Sequence, residues 1–336
     1  MFGDPRAKRP EMFGFLLIPQ FSMVCLGTAV EAMRQANRQA REQLYDWILI
    51  THDGAPARPS CGLELTPVKA IGEVEACANI VAVGGLDSHL FGDRKTLSWL
   101  RRLARQGANI GAMSTGSHLL AQAGLLDGYR CTIHWEDLEA FAERHPDLDV
   151  TGEIFEIDRS RFTCSGGTAS LDLMLHHIGV QHGHELAAKV SEQYMHERIR
   201  DRHDHQRMNL RSRFGVAHPK LVAVIQRMEE NLEEPMSRAA LARDVGLSTR
   251  QLERLFRKYL KRTPTRFYLE FRLDRARLLL RQTTMSVLDV ALACGFVSAS
   301  HFSKCYREHF GRTPGEERRG ARPEASETVV AASDAA

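Results

Sequence analysis

Long apolar runs, paired cysteines and a strong net charge are all missing from the 336-residue sequence. No hydrophobic stretch approaches the roughly 18–20 residues that a membrane span needs, so we expect no membrane partner. The basic N-terminus is followed by only a short apolar run without a small-residue cleavage site, which favours a first strand over a signal peptide. The seven cysteines form no CxxC pair. That pattern excludes a disulfide framework or a zinc ribbon and predicts reduced thiols in a cytoplasmic protein.

The small net charge of +3 hides an uneven distribution. Residues 218–320 carry 20 Lys and Arg against 12 Asp and Glu, a net +8, whereas the rest of the chain has a net charge of −5. A basic C-terminal segment on a mildly acidic body indicates a nucleic-acid-binding module joined to a second domain. Charge alone leaves open the alternative that solvated arginines cluster there by chance.

Short apolar strands alternate with helical stretches in the first half of the chain. This alternation predicts an α/β domain over residues 10–199, with a mostly parallel sheet covered on both faces. The charged stretch 200–217 is interpreted as an interdomain linker and hinge, 218–320 as an all-α domain, and the Ala- and Ser-rich 321–336 as a disordered tail. The predicted strands are 12–18, 47–51, 80–83 and 109–113, with a hairpin at 153–158 and 161–165, and the predicted helices are 28–40, 95–105, 117–123, 168–178 and 183–199.

A repeat of 49 to 50 residues marks the C-terminal segment. In its first copy, Ala242 is the small residue that a close helix crossing requires, and Gly246 supplies the positive φ of a turn. Both recur 49 residues later as Ala291 and Gly295, whereas the apolar positions of the following helix recur after 50 residues. The spacing therefore predicts two helix-turn-helix motifs in tandem, with one extra residue in the second turn.

The second helix of each motif is the element that such proteins place in the major groove of DNA. We expect these helices over about 249–259 and 299–309, joined by a linking helix over about 267–280. Arginine suits bidentate recognition of guanine, so an arginine on an exposed face is a candidate base reader. The residues expected to contact double-stranded operator DNA are Thr249, Arg250, Glu253 and Arg254 in the first helix and Ser300, Ser303 and Lys304 in the second.

Both halves of the chain resemble known families. The closing stretch GFVSASHFSKCYREHFGRTP and the tandem motif resemble the C-terminal module of the AraC/XylS transcription regulators, over about 218–317. In the first half, a predicted strand ends in a sharp Ser114-Thr115-Gly116 turn into a helix. That elbow, with FTCSGGTASLDLMLHHI at 162–178, resembles the DJ-1/PfpI-like glutamine-amidotransferase superfamily over about 12–190. The resemblance implies a flavodoxin-like fold there.

Enzymes of that superfamily carry a cysteine at the elbow with Glu and His partners, whereas this chain has Ser114. The resemblance implies Glu31 as the matching acid and His134 as the matching histidine. Because a hydroxyl has a far higher pKa than a thiol, a helix dipole that activates Cys does little for Ser. We therefore expect a DNA-binding regulator without catalytic residues, metal or cofactor. The alternative is a serine hydrolase or amidase that uses Ser114 in a near G-x-S-x-G elbow, weakened by Ala112.

The pairing of these two domains resembles the GlxA-like regulators, and stretches such as RFTCSGGTA and ERIRDRHDHQR resemble a subgroup that activates genes for catabolism of quaternary amines and amino acids. The resemblance implies a small-molecule effector of the glycine betaine, carnitine or arginine class, RNA polymerase as a partner, and a homodimer. A zwitterion would find a π face at Trp135, a carboxylate at Glu31 and a helix N-terminus after Ser114. We therefore predict an effector pocket lined by Glu31, Ser114, His134 and Trp135.

Overall fold

The computed structural model describes residue 2, residues 10–67 and residues 69–320. The predicted disordered tail at 321–336 lies outside the described residues. The chain divides into two compact units between Arg207 and Met208, inside the stretch predicted as the linker. None of the described helices combines the length and the apolar character that crossing a bilayer requires.

Nine strands occur in the described part of the first unit. They are β1 (Glu11–Leu17), β2 (Tyr45–Thr51), β3 (Lys69–Ala70), β4 (Asn79–Val83), β5 (Asn109–Met113), β6 (Arg130–Thr132), β7 (Asp149–Thr151), β8 (Phe155–Asp158) and β9 (Arg161–Cys164). Seven form one sheet in the order β3-β2-β1-β4-β5-β9-β8, while β6 and β7 pair separately. All pairs in the large sheet are parallel except β8 with β9, which form the predicted hairpin.

Helices cover both faces of this sheet, as expected for an α/β fold. They are α1 (Met23–Ala40), α2 (Arg94–Arg105), α3 (Ser117–Gln122), α4 (Leu138–Arg144), α5 (Ala169–His182) and α6 (His184–Gln193). The central strand β4 is buried along its whole length, and its residues alternate between two cores. Val81 and Val83 pack towards α1, α5 and α6, whereas Ile80 and Ala82 pack towards α2 and α3. The predicted α/β fold is confirmed.

One predicted helix of the first unit ends early. The expected helix over 183–199 stops at Gln193, and Met195 then adopts a left-handed φ of 52°. The chain leaves the helix because His196 and Arg200 both bind the buried carboxylate of Asp172. These contacts with a buried carboxylate therefore prevail over the helical sequence pattern of residues 194–199.

The second unit is all-helical. Its helices are α7 (Leu210–Phe214), α8 (Pro219–Glu230), α9 (Arg238–Asp244), α10 (Thr249–Leu260), α11 (Pro264–Gln282), α12 (Val287–Ala293), α13 (Ala299–Phe310) and α14 (Pro314–Gly320). Two separate apolar cores stabilise it, and α11 contributes to both. Phe267 and Tyr268 belong to the core shared with α8 to α10, whereas Leu273 and Leu280 belong to the core shared with α12 and α13.

The two helix-turn-helix motifs are α9–α10 and α12–α13. The first turn spans 245–248 and the second 294–298, so the extra residue predicted from the 49 and 50 spacings lies in the second turn. Both turn glycines adopt the predicted positive φ, 62° at Gly246 and 72° at Gly295. The Ser248 side chain accepts a hydrogen bond from the Gln251 amide, which caps α10 at its N-terminus.

Candidate effector site and nucleic-acid interface

The elbow after β5 is a strained turn held by close backbone packing. Ser114 is buried and has a φ of 58°, which residues with a β-carbon rarely adopt. A Cβ added to Gly166 would lie 2.7 Å from the Cβ of Ser114, so the loop after β9 passes against the elbow only because residue 166 is glycine. The strands β1, β4, β5 and β9 all end at this edge of the sheet, where an open α/β sheet usually binds its ligands.

Cys25, in the first turn of α1, lies at this edge and was not among the predicted site residues. Its sulfur accepts a hydrogen bond of 3.1 Å from the backbone N–H of Gly167, in the loop that packs on Ser114. The neighbouring Cys164 contacts the Ser170 hydroxyl at 3.4 Å. Burial raises the pKa of the Cys164 thiol to about 12, which keeps this thiol protonated at neutral pH.

Glu31 lies further along α1 and has other partners. It is six residues from Cys25, a rise of about 9 Å along the helix. Its carboxylate pairs with Arg34 at 2.6 Å and accepts a hydrogen bond of 3.2 Å from the Tyr194 hydroxyl. The hydrogen bond from Arg34 lowers the pKa of the Glu31 carboxyl. The structure thus brings Cys25 to the loop beside Ser114, whereas the Glu31 carboxylate contacts Arg34 and Tyr194.

His134 and Trp135 follow β6, which is tied to the elbow helix. The Ser117 hydroxyl donates to the Thr132 carbonyl at 2.8 Å, and the Thr132 amide donates to the Thr163 hydroxyl of β9 at 2.8 Å. The ring centroids of His134 and Trp135 are 5.5 Å apart. Both side chains are half-buried and lie two to three residues beyond these anchors.

A segment after α6, residues 196–207, packs along the same edge, and we call it the closing segment. Asp172, fully buried on α5, accepts hydrogen bonds from His196 at 2.9 Å and from the amide and guanidinium of Arg200 at 2.7 to 2.9 Å. Arg200 also donates to the Thr168 hydroxyl at 2.7 Å. The charged stretch 200–217 is interpreted from the sequence as a linker, and its first residues make contacts with the first unit through Arg200 and Gln206.

The end of the closing segment reaches Trp135. The Gln206 amide donates to the carbonyls of Ile133 at 3.1 Å and Glu153 at 2.9 Å. The guanidinium carbon of Arg207 lies 4.4 Å from the centroid of a Trp135 ring, a cation–π contact.

The histidines near the elbow are engaged with other groups. His118 on α3 pairs with the buried Asp137 at 3.2 Å, and the ring of His134 lies 3.9 Å from the Glu136 carboxylate. This arrangement is not the nucleophile–histidine–acid relay that activates a serine. No group of three or more metal-binding side chains suited to an ion occurs among the described residues.

The candidate DNA-facing residues of α10 project from the helix surface. Thr249, Arg250 and Arg254 are exposed. Glu253 is engaged, since its carboxylate accepts a hydrogen bond of 2.8 Å from Arg238 of α9. Arg257, on the same helix, is also exposed and was not predicted as a contact.

The corresponding face of α13 is less charged. Ser300 and Lys304 are exposed, and Ser303 is half-buried. Lys304 lies 4.0 Å from the Glu308 carboxylate one turn further on. His301 and Arg307 are also exposed on α13 and were not predicted as contacts, because hydrophobic periodicity locates a helix face but does not rank its polar positions.

Two helix-turn-helix motifs with exposed basic and hydroxyl side chains on their second helices define a DNA-binding transcription regulator. Comparison with known proteins gives the same result. The sequence matches the helix-turn-helix domain family over residues 241–320 and the DJ-1/PfpI family over residues 16–178.

Full-length relatives identify the family. The chain is 48% identical over 316 residues to the HTH-type transcriptional regulator GbdR of Pseudomonas aeruginosa, covering 94% of this chain and 86% of that protein. It is 47% identical over 306 residues to CdhR of the same organism, with 91% of each chain covered. The protein therefore belongs to the family of AraC-type transcription regulators with a DJ-1/PfpI-like N-terminal domain.

A solved structure supports the same relationship. An AraC family transcriptional regulator from Pseudomonas putida superposes with a TM-score of 0.51 at 28% identity, over 55% of this chain and 100% of that one. The relatives are transcription regulators, so the chain is a DNA-binding regulator and not the serine hydrolase that the elbow alone had left as an alternative. The two family resemblances predicted from the sequence are confirmed.

Proposed function

We propose that the protein activates catabolic genes in response to a quaternary amine or an amino acid of the glycine betaine, carnitine or arginine class. It binds operator DNA as a homodimer through α10 and α13 and contacts RNA polymerase. The observation that supports this proposal is an elbow site that forms no catalytic relay with the other described residues, joined in one chain to a tandem DNA-binding module. The effector class comes from the resemblance of the sequence to regulators of such catabolism.

In this proposal residues 10–199 sense the effector, 218–320 bind DNA and 200–217 connect them. The effector lies at the C-terminal ends of the parallel strands, against Ser114, His134 and Trp135, with Cys25 added by the geometry. Trp135 offers a π face to a cationic head group. For Glu31 to bind the same cation, its carboxylate has to exchange Arg34 for the effector, since the two side chains pair at 2.6 Å.

Calorimetry on the full-length protein tests the effector class. Glycine betaine, carnitine and arginine are titrated separately into the wild type and into Trp135→Ala and Glu31→Gln variants. We expect at least one compound to bind the wild type, and Trp135→Ala to bind it at least tenfold more weakly. Trp47→Phe is the matched control, because Trp47 is half-buried against the core and outside the proposed site. Wild-type affinity in both Trp135→Ala and Glu31→Gln would place the pocket elsewhere.

Function at the promoter is tested separately by in vitro transcription with purified RNA polymerase. We expect the effector to raise transcript yield from a footprinted operator, and Trp135→Ala to abolish that rise while leaving the footprint largely unchanged. Ser114→Ala should keep both the fold and the basal footprint. Covalent labelling of Ser114 by a fluorophosphonate probe would revive the hydrolase alternative.

A further inference from the structure

The second helix-turn-helix motif contains one turn residue that has no counterpart in the first. Leu247 corresponds to Phe296 at a spacing of 49 residues, whereas the N-cap residues Ser248 and Ser298 correspond at a spacing of 50. Val297 lies between Phe296 and Ser298 and is therefore the extra residue of the second turn. It stands directly before α13, the helix proposed to enter the major groove of DNA.

The residue before an N-cap often packs on the fourth residue of the helix, in a hydrophobic staple. In the first motif, Leu247 is half-buried and packs on the core that contains Leu252, the fourth residue of α10. In the second motif, Phe302 is the fourth residue of α13 and is fully buried. The ring centroid of Phe296 lies 5.0 Å from that of Phe302, so Phe296 makes this contact one residue earlier. The inserted Val297 is left outside the core.

The side chain of Val297 projects into solvent at the N-terminus of the recognition helix. It is 96% exposed and belongs to none of the apolar cores that the described residues form. The next two residues, Ser298 and Ala299, are small, and the first turn of α13 contains no acidic side chain. This end of the helix can therefore approach a base pair closely, without charge repulsion from its own first turn.

We propose that Val297 is a specificity-determining residue that contacts the 5-methyl group of a thymine in the operator. The inference rests on the proposed function, in which α13 enters the major groove. The N-terminal residues of a recognition helix contact base edges there, and the thymine methyl is an apolar feature of that groove. When the isopropyl group of Val297 meets this methyl, both lose contact with water, which favours binding. The contact adds base preference to a helix that carries fewer basic residues than α10.

Replacing thymine with deoxyuridine tests this contact, because deoxyuridine lacks only the 5-methyl group and keeps every hydrogen-bonding atom of the base. Each thymine of the footprinted operator is replaced in turn, and gel-shift titration with the full-length protein measures the affinity. We expect the wild type to lose about fourfold in affinity at one thymine or at two adjacent ones. That fold-change corresponds to about 0.8 kcal/mol, the contribution of one buried methyl-sized group.

Variants of Val297 assign this loss to its side chain. Val297→Ser should bring the ratio of thymine to deoxyuridine affinity at that position close to one, whereas Val297→Ile should keep it at about fourfold because the apolar contact remains. Leu288→Ser is the matched control. Leu288 is another exposed apolar residue of the same motif, 52% exposed on α12, and its replacement should leave the ratio unchanged. Urea unfolding of each variant checks that the fold is retained.

The outcomes separate this inference from the function on which it rests. If the wild type binds the operator but no thymine depends on its methyl group, or if the dependence persists in Val297→Ser, the methyl contact is overturned and operator binding stands. If the wild type protects no operator, the proposed function is wrong and the inference fails with it. If Val297→Ser keeps the affinity ratio but lowers transcript yield with RNA polymerase, Val297 belongs to a protein contact, which also overturns the inference.

Discussion

The DNA-binding domain contains a first helix-turn-helix unit, α9–α10, and a second, α12–α13, and these two units differ in how the preceding helix holds the turn. In the first unit, the exposed Lys220 of α8 donates one hydrogen bond of 3.0 Å to the Gly246 carbonyl. In the second, Arg272 of α11 donates to the carbonyls of Cys294 at 2.6 Å and Gly295 at 2.7 Å. A lysine forms one flexible point contact, whereas a guanidinium fixes two acceptors in a set geometry.

The second turn is also more tightly enclosed. Arg272 is half-buried and lies 4.2 Å over the ring of Phe296, and burial lowers the pKa of its guanidinium. A Cβ added at Gly295 would lie 2.6 Å from the Leu232 carbonyl oxygen, whereas one at Gly246 would meet nothing nearer than the Lys220 ammonium at 3.7 Å.

The recognition helices differ in charge, and here the first unit has the larger value. α10 carries four basic residues and one acidic one, while α13 carries two basic residues and one acidic one. Charge attracts any phosphate backbone, whereas sequence is read through contacts with base edges. The first unit thus has the more basic recognition helix, and the second has the more firmly held turn.

The largest expected effect comes from replacing the turn glycines. Gly246→Ala should lower the free energy of unfolding by about 1–2 kcal/mol, the penalty for a left-handed residue with a β-carbon. Gly295→Ala should cost about 3 kcal/mol or more, because a backbone clash adds to the same penalty. Urea unfolding followed by circular dichroism measures both. Tryptophan fluorescence is the control, since all three tryptophans lie in the N-terminal α/β domain. Equal losses would contradict the difference in enclosure.

Replacing the basic residues that hold the turns should have the next largest effect. Arg272→Ala should destabilise the second unit by about 2–3 kcal/mol, because it removes two hydrogen bonds from a charged donor. Lys220→Ala should stay within about 0.5 kcal/mol, as expected for an exposed side chain. Arg272→Lys should recover only part of the loss. Hydroxyl-radical footprinting then checks function: Arg272→Ala should weaken protection of one half-site, and loss of both half-sites together would mean that the two units do not act separately.

The sequence repeat predicted these units because their turns need glycine and their cores need apolar residues at fixed spacings. The same reasoning could not reveal that Arg272 reaches the second turn, since a surface arginine carries no periodic signal. In the N-terminal α/β domain, the family resemblance implied Glu31 as the site residue of α1, whereas Cys25 was not predicted. Cys25 lies in the first turn of α1, and the helix was expected to start only at residue 28 instead of Met23.

The closing segment shows a second limit of sequence reasoning. Its run of charges is typical of a solvated linker, yet Arg200 pairs with a carboxylate that is fully buried on another helix. Such pairing depends on residues nearly thirty positions apart, which no local composition reveals. The tandem motif, by contrast, is local and was predicted to within a few residues.

Replacing the candidate base-reading arginine of the first helix-turn-helix unit should have a moderate effect on operator binding. Arg254→Ala should weaken operator binding by about 1–3 kcal/mol and relax the preference at one base pair, if this exposed arginine forms a bidentate contact with guanine. Gel-shift titrations against single-base operator variants measure both changes. Ser300→Ala in α13 is the comparison. If Arg254→Ala weakens binding equally for all operator variants, and the slope of log affinity against log salt concentration falls by about one, Arg254 is a phosphate contact only.

The smallest expected effect comes from the N-cap residues of the two recognition helices. The turn is held by more hydrogen bonds in the second unit, but the N-cap is better hydrogen-bonded in the first. Ser248 and Gln251 bond reciprocally at 3.2 and 2.8 Å, whereas the Ser298 hydroxyl accepts only a long hydrogen bond of 3.4 Å from the His301 amide. Ser248→Ala should therefore cost about 1 kcal/mol of stability and Ser298→Ala no more than about half of that.

Urea unfolding by circular dichroism resolves these two caps, with Ser248→Thr as the conservative control that keeps the hydroxyl. Because each unit has its own apolar core, a loss in one should leave the other unit's transition in place. If Ser298→Ala proves the more damaging, the second unit is held more firmly at both ends of its turn. The contrast between a charge-dependent first unit and a rigid second unit would then be sharper than the hydrogen bonds indicate.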